Sequence, residues 1–276
     1  MYIKRHIEEA VRRRATMKGA VVVTGARQTG KSTLMEKLNP DILSVTFDHL
    51  PTRRRAIEEP SAFFNLYPPP IFIDEVQYAP EIFHYIKILL DKSKKKGDFY
   101  LTGSQNFTLM KNVSESLAGR AGILELMGLS LREINAEGFN VPFLPTLDYL
   151  LQRKSCRTVR GIDEMWGIIH RGSMPELVAD PKYEWAAFYA DYVKTYIERD
   201  VRNLTQVADE GDFLKFLNVC AAMNGQMLNL AKVAREVGIG ESTELCRRNP
   251  RMRCMACFTV NSFQWTVDSE KQCVKP

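Results

Sequence analysis

Two short stretches hold residues whose types and spacing suit chemistry on a phosphate anhydride. The first is Gly25-Ala26-Arg27-Gln28-Thr29-Gly30-Lys31-Ser32-Thr33, with the spacing G-x-x-x-x-G-K-[ST] of a phosphate-binding loop. Gly25 and Gly30 permit backbone torsions that a β-carbon would forbid. The N–H groups of such a loop converge on phosphate oxygens, at a helix N-terminus whose dipole favours anions. Lys31 is a point charge able to reach the β- and γ-phosphates, and the Ser32 hydroxyl is a ligand for Mg²⁺. The second stretch is Ile71-Phe72-Ile73-Asp74-Glu75, entered through Pro68-Pro69-Pro70. Asp74 is placed to hold Mg²⁺, directly or through water. Glu75, one residue on, is placed to orient and activate water for attack on the γ-phosphate.

Such residues need a frame that brings them to one edge. Ala20–Thr24 is a β-branched run entering the loop, and Lys31–Leu38 a helix stopped by Asn39-Pro40. Leu43–Phe47 reads as a second strand. The apolar run before Asp74 is a third, of the kind buried on both faces of a parallel sheet, with ligands beyond the carboxyl ends. After Ala79-Pro80, the spacing of Ile82, Phe83, Ile86, Leu89 and Leu90 predicts an amphipathic helix. Phe99–Gln105 is a further strand, expected between the loop strand and the Asp74 strand, with Ser104 or Thr102 as a polar sensor of the γ-phosphate. Arg120 precedes a fifth strand, Gly122–Met127, and is a candidate to reach the nucleotide of a neighbouring subunit and offset transition-state charge. The fold class expected is α/β: a doubly wound parallel sheet of the P-loop type.

Composition bounds the rest. The chain has 276 residues, 45% hydrophobic and 26% charged, enough for a large core and two domains. There is no apolar run of membrane-spanning length, and the charged start, Met1-Tyr2-Ile3-Lys4-Arg5-His6, has no apolar signal core. A cytoplasmic protein that makes no membrane contact is expected. The net charge of +5 is unevenly spread. Residues 246–276 hold six Lys/Arg and two Asp/Glu, a net of +4, leaving 32 minus 31, or +1, for the other 245. The runs Arg12-Arg13-Arg14 and Lys92–Lys96 read as solvated helix C-termini.

Beyond Leu129 helical patterns dominate. Trp185–Val201 is a long amphipathic helix rich in aromatics, with Arg199-Asp200 near its end. Phe213–Ala222 and Leu230–Val237 read as helices, and Ala234, Gly238 and Ile239 fit a helix, tight turn and new helix start.

Taken together, Gly25–Ser32, Ile73-Asp74-Glu75-Val76-Gln77, Leu101-Thr102-Gly103-Ser104-Gln105, Ser116-Leu117-Ala118-Gly119-Arg120 and Tyr196-Ile197-Glu198-Arg199-Asp200-Val201 resemble a widespread prokaryotic family of AAA-type ATPases. The resemblance spans residues 1–244. It implies an N-terminal P-loop domain and a C-terminal domain with a winged-helix segment and a poorly defined role. It further implies ATP and Mg²⁺ as ligands, Asp74 and Glu75 as the Walker B pair and Ser104 as the first sensor. The domain boundaries expected are 1–135 for the P-loop domain, 136–208 for a helical region and 209–244 for an incomplete helix-turn-helix-like segment. Residues 245–276 depart from the family pattern. Cys246, Cys254, Cys257 and Cys273 offer four thiolates, but only one C-x-x-C pair and no histidine. The reading preferred over zinc is a disordered tail of the kind left by a frameshift or truncation.

Three functions are open on these grounds. The first is a Mg²⁺-dependent ATPase whose hydrolysis drives a conformational switch, as a homo-oligomer. The second is an ATP-responsive regulator that binds DNA, or a protein partner, through its C-terminal region. The third is a small-molecule P-loop kinase, against which Glu75 argues, because a carboxylate beside Asp74 suits water as the nucleophile.

Overall fold

The computed structural model describes residues 2–104, 113, 115–138, 143–156, 160–196, 215, 218–219, 221–223 and 229–238. The chain divides into a unit spanning Met1–Leu129 and a second that begins at Ser130.

In the first unit, five strands form one parallel sheet: β1 (Ala20–Gly25), β2 (Leu43–Thr46), β3 (Ile71–Asp74), β4 (Phe99–Ser104) and β5 (Ala121–Glu125). Their spatial order is β2-β3-β4-β1-β5, so β4 lies between the loop strand and the Asp74 strand, as its sequence position predicts. The pairing is in register, with Val22 opposite Leu101 and Ile123, and Ile73 opposite Leu101. Alternation along β1 explains its all-apolar run. Ala20 and Val22 enter one core with Phe47, Phe63, Ile71, Phe99 and Leu101. Val21 and Val23 enter the other, with Val11, Leu34, Met35, Phe72 and Tyr100. A strand covered on both faces must be apolar at every position.

The helices of this unit are α1 (Ile7–Met17), α2 (Lys31–Leu38), α3 (Leu50–Glu58), α4 (Pro60–Leu66) and α5 (Ile82–Ser93). α1 and α2 cover one face through Val11 and Leu34; α4 and α5 cover the other through Phe63, Phe64, Phe83 and Ile86. The sequence reading has no counterpart to α3 and α4. Both start with proline in the first turn, where the missing N–H is no loss.

In the second unit the described elements are all helical: α6 (Leu131–Ile134), α7 (Leu147–Cys156), α8 (Ile162–Arg171), α9 (Pro175–Ala179), α10 (Trp185–Tyr196) and α11 (Leu230–Val237). Ser130 and Glu133 close a capping box at the start of α6. Met174, Leu177 and Phe188 form a small core, packed by Trp185, Tyr189 and Tyr192. The guanidinium of Arg171 donates to the carbonyls of Leu177 at 3.0 Å and Asp180 at 2.7 Å, closing the end of α9. Burial pushes the Tyr189 phenol up to about 12, against the nearby charge of Arg171. α11 is capped by the Asn229 side chain, which accepts from Lys232 N at 3.0 Å, and ends at Gly238 with φ 82°. The new helix expected after Gly238, the wing, Arg199-Asp200 and the cysteine-rich tail lie outside the described residues. No helix among the described residues is long and apolar enough to cross a membrane.

Candidate functional site

The carboxyl ends of β1, β3 and β4 meet at one edge of the sheet, and the predicted residues are carried there by the strand order. Gly25 ends β1 with φ 146°, and a β-carbon on it would stand 2.1 Å from the Leu126 carbonyl oxygen. Only glycine lets the loop leave the strand so close to the chain beyond β5. Gly30, at the N-cap of α2, has φ 87° and nothing within 4 Å of where a β-carbon would sit. Between them Thr29, almost fully buried, donates from Oγ1 to the Ala26 carbonyl at 2.9 Å. Gln28 is exposed with φ 60°, Arg27 is half-buried and Thr33 is exposed.

Lys31 is 6% exposed, and its ammonium donates to the carbonyls of Ala26 at 2.7 Å and Gly25 at 3.2 Å. Its charge is therefore held inside the curve of the loop. Ser32 Oγ donates to Asp74 Oδ2 at 2.8 Å, and Thr102 Oγ1 donates to Asp74 Oδ1. A hydroxyl from the loop and a carboxylate from β3 thus converge, a pairing of hard oxygens that suits Mg²⁺. Among the described residues no group of three or more His, Cys, Asp and Glu is placed to hold a metal ion.

Glu75 leaves β3 in the left-handed region, φ 53° and ψ 44°. This turns the chain into a short 3₁₀ turn, Val76–Tyr78. The Gln77 side-chain nitrogen then reaches back to Glu75 Oε2 and across to Ser104 Oγ at 3.2 Å. Ser104 is itself the register partner of Gly25. Gly25, Gly30, Lys31, Ser32, Asp74, Glu75 and Ser104 therefore occupy one edge.

Arg120 does not. It lies at the amino-terminal start of β5, where its carbonyl accepts from Ala20 N at 3.2 Å. At roughly 3.3 Å per strand residue, the length of β1 puts it about 20 Å from its own loop. Its guanidinium pairs with both carboxylate oxygens of Asp91, at 2.5 and 2.9 Å. That hydrogen bond holds the Asp91 carboxyl below the usual carboxylate range and raises Arg120 above its ordinary value. The same end gathers the two basic runs. Gly97 N donates to Lys18 O at 2.9 Å and Asp98 N to Gly19 O at 3.0 Å, which brings the end of α5 against the end of α1.

Two site residues have no assigned role in the sequence reading. Gln77 is visible there only as the last letter of a motif. Arg5, 5% exposed, donates to Thr29 O at 2.8 Å, Met127 O at 2.7 Å and Gly128 O at 3.1 Å. It ties the loop to the exit of β5, and nothing local in Lys4-Arg5-His6 signals it.

Fold, loop and strand order define the class of the first unit: an α/β P-loop domain with a five-stranded parallel sheet. Residues 17–135 match a family model described as "AAA domain", and residues 162–244 match one described as "Domain of unknown function (DUF8612)". The chain is similar to the uncharacterized proteins Rv2008c of Mycobacterium tuberculosis and Mb2031c of Mycobacterium bovis. Each is 27% identical over 245 residues, covering 88% of this chain and 50% of the relative. It therefore spans about half the length of these relatives. Among solved structures, the Walker-type ATPase paby2304 of Pyrococcus abyssi superposes with a TM-score of 0.52 at 12% identity, over 94% of this chain and 90% of that one. A likeness at that identity speaks for the fold alone.

Proposed function

We propose that the chain binds ATP with Mg²⁺ at the 25–33 loop and hydrolyses it, using the energy to switch conformation. The observation that carries this is the convergence at one sheet edge of Ser32 with Asp74, and of Glu75 with Ser104 through the Gln77 amide. The loop N–H groups and Lys31 bind the phosphates. Ser32 and Asp74 hold Mg²⁺, which when bound draws charge from the phosphate oxygens. Glu75 orients a water and takes one of its protons. The water oxygen forms a bond to the γ-phosphorus, the bond from that phosphorus to the β-γ bridging oxygen breaks, and ADP leaves with the electron pair. Ser104 senses the γ-phosphate. Arg120, about 20 Å from its own loop, serves the nucleotide of a neighbouring copy in a homo-oligomer. A partner acts through the region beyond Ser130.

The test is phosphate release from ATP by the purified chain, with Mg²⁺ or with chelator, and with no other substrate added. Release that needs Mg²⁺ is expected, and it is not expected of a kinase waiting for an acceptor. Lys31→Ala should weaken nucleotide binding strongly. Glu75→Gln should bind ATP and leave it intact. Wild-type turnover by Glu75→Gln refutes the role of that carboxylate.

A second reading, a nucleic-acid-responsive regulator, is favoured by one observation. Arg12, Arg13, Lys92 and Lys94–Lys96 share the loop-distal end of the sheet. They are exposed, and they make no side-chain hydrogen bond or ion pair among the described residues. The acids beside them are engaged, Asp91 by Arg120 and Asp98 by Ser93. Neutralising phosphates with these cations would give affinity that falls steeply with salt. Anisotropy of labelled duplex DNA across a salt series, with the Lys94–Lys96 triple alanine variant as control, decides it. Equal binding by that variant removes the surface from consideration.

A further inference from the structure

The Gln77 amide sits between the two groups on which hydrolysis turns. Its nitrogen donates to Glu75 Oε2 and, at 3.2 Å, to Ser104 Oγ. The orientation of the amide follows from chemistry: an ionised carboxylate only accepts, so the NH₂ group must face it. That leaves Gln77 Oε1 buried with no hydrogen-bond partner among the described residues. A buried orphan acceptor destabilises a fold, and a leucine or methionine would fill the same space without one. A glutamine here is explained by its nitrogen, not by packing.

We propose that Gln77 is a positioning residue that couples the Ser104 sensor to the Glu75 base. The inference rests on the ATPase reading above. Ser104 is at the tip of β4, beside Gly25 in register, and Glu75 follows the last residue of β3. No backbone ladder joins these two tips, because the β3–β4 register stops at Ile73 and Leu101. The one amide group bridges that gap. A Ser104 hydroxyl that turns to the γ-phosphate draws the amide with it, and the carboxylate bonded to the same nitrogen takes up its place for the water. Glu75 is free to do so because it stands at a strand end in a left-handed turn rather than in the ladder.

The experiment is a double-mutant cycle on the full chain with Gln77→Leu and Ser104→Ala, reading kcat for ATP and, separately, the affinity for a fluorescent ATP analogue. Each single variant should lose about tenfold or more in kcat, with affinity within twofold of wild type. The double variant should be no slower than the slower single, since both changes break one coupling. A merely structural glutamine would instead move affinity and melting temperature together with kcat. Losses that multiply to about a hundredfold, or a Gln77→Leu kcat within twofold of wild type, overturn the proposal. Should Gln77→Leu not fold, Gln77→Met fills the same space with an unbranched side chain, removes the donor and carries the same expectations. A wild type that turns over no ATP removes the ATPase reading and this inference with it. Normal wild-type turnover with unaffected Gln77 variants removes this inference alone.

Discussion

Arg5 offers the sharpest test of how the phosphate loop is held. Its guanidinium makes hydrogen bonds of 2.7 to 3.1 Å to the carbonyls of Thr29, Met127 and Gly128. The segment carrying it is pinned by Glu8, whose Oε1 accepts from Arg5 N and from the Tyr2 hydroxyl, both at 2.8 Å. Arg5→Met keeps the stem and removes the fork. A hydrogen bond to a charged group contributes roughly 1.5–3 kcal/mol. Three of them set a ceiling, but the guanidinium is nearly buried, and part of its lost hydration returns in the variant. The bonds to Met127 and Gly128 are only part-buried, so water replaces the donor there. Thr29 O is the buried acceptor left without its donor. A net loss of about 3 kcal/mol follows, or roughly a hundredfold in a local opening equilibrium.

Hydrogen exchange of peptides covering residues 20–31 and 121–129 reports on this region directly. In Arg5→Met their amides should exchange about a hundredfold faster, peptides from α10 should be unchanged, and ATP affinity should fall as the loop N–H groups lose alignment. Arg5→Lys should fall between, since an ammonium cannot serve three carbonyls in a planar fork. Exchange within threefold of wild type in Arg5→Met would refute the clamp.

Two further outcomes follow from the geometry. If Arg120 acts in trans, turnover per subunit should rise with protein concentration, and Arg120→Ala subunits should poison mixed assemblies; turnover linear down to dilute monomer refutes that role and leaves the Asp91 pair as its function. In the second unit, the Tyr189 phenol is raised from 10.0 to about 12, so its packing contributes in full below pH 10. That contribution is lost as pH rises through about 12, because the unfolded chain gives up its proton first. Tyr189→Phe should shift the alkaline unfolding midpoint, followed by tryptophan fluorescence, to higher pH, and coincident titrations would contradict the assignment.

What the sequence discloses and what it conceals divide along a physical line. Gly25 and Gly30 are legible because their backbone torsions, φ 146° and 87°, admit few alternatives to glycine. Asp74 is legible because a strand buried on both faces ends there in a charge. These are local constraints, each written within a few residues. The place of β4 is legible for a related reason: a parallel sheet with crossovers has few orders that bring Ser104 beside Gly25. α3 and α4 are hidden because each is short and opens on a proline, Pro51 or Pro60, a residue that starts a helix only in its first turn. Arg5 and Gln77 are hidden for another reason. Their partners lie 24, 122 and 123 residues away for the one and 27 away for one contact of the other, and no spacing rule spans such separations. Arg120 shows the intermediate case. Its motif marks it as worth a role, but only the strand direction reveals that it stands at the end of the sheet opposite its own phosphate loop. A motif thus specifies which groups the chemistry needs. The side chains that tie those groups together are specified by the fold, and in this chain they are an arginine before the first helix, bonded to the loop, and a glutamine two residues past Glu75, bonded to Glu75 and Ser104.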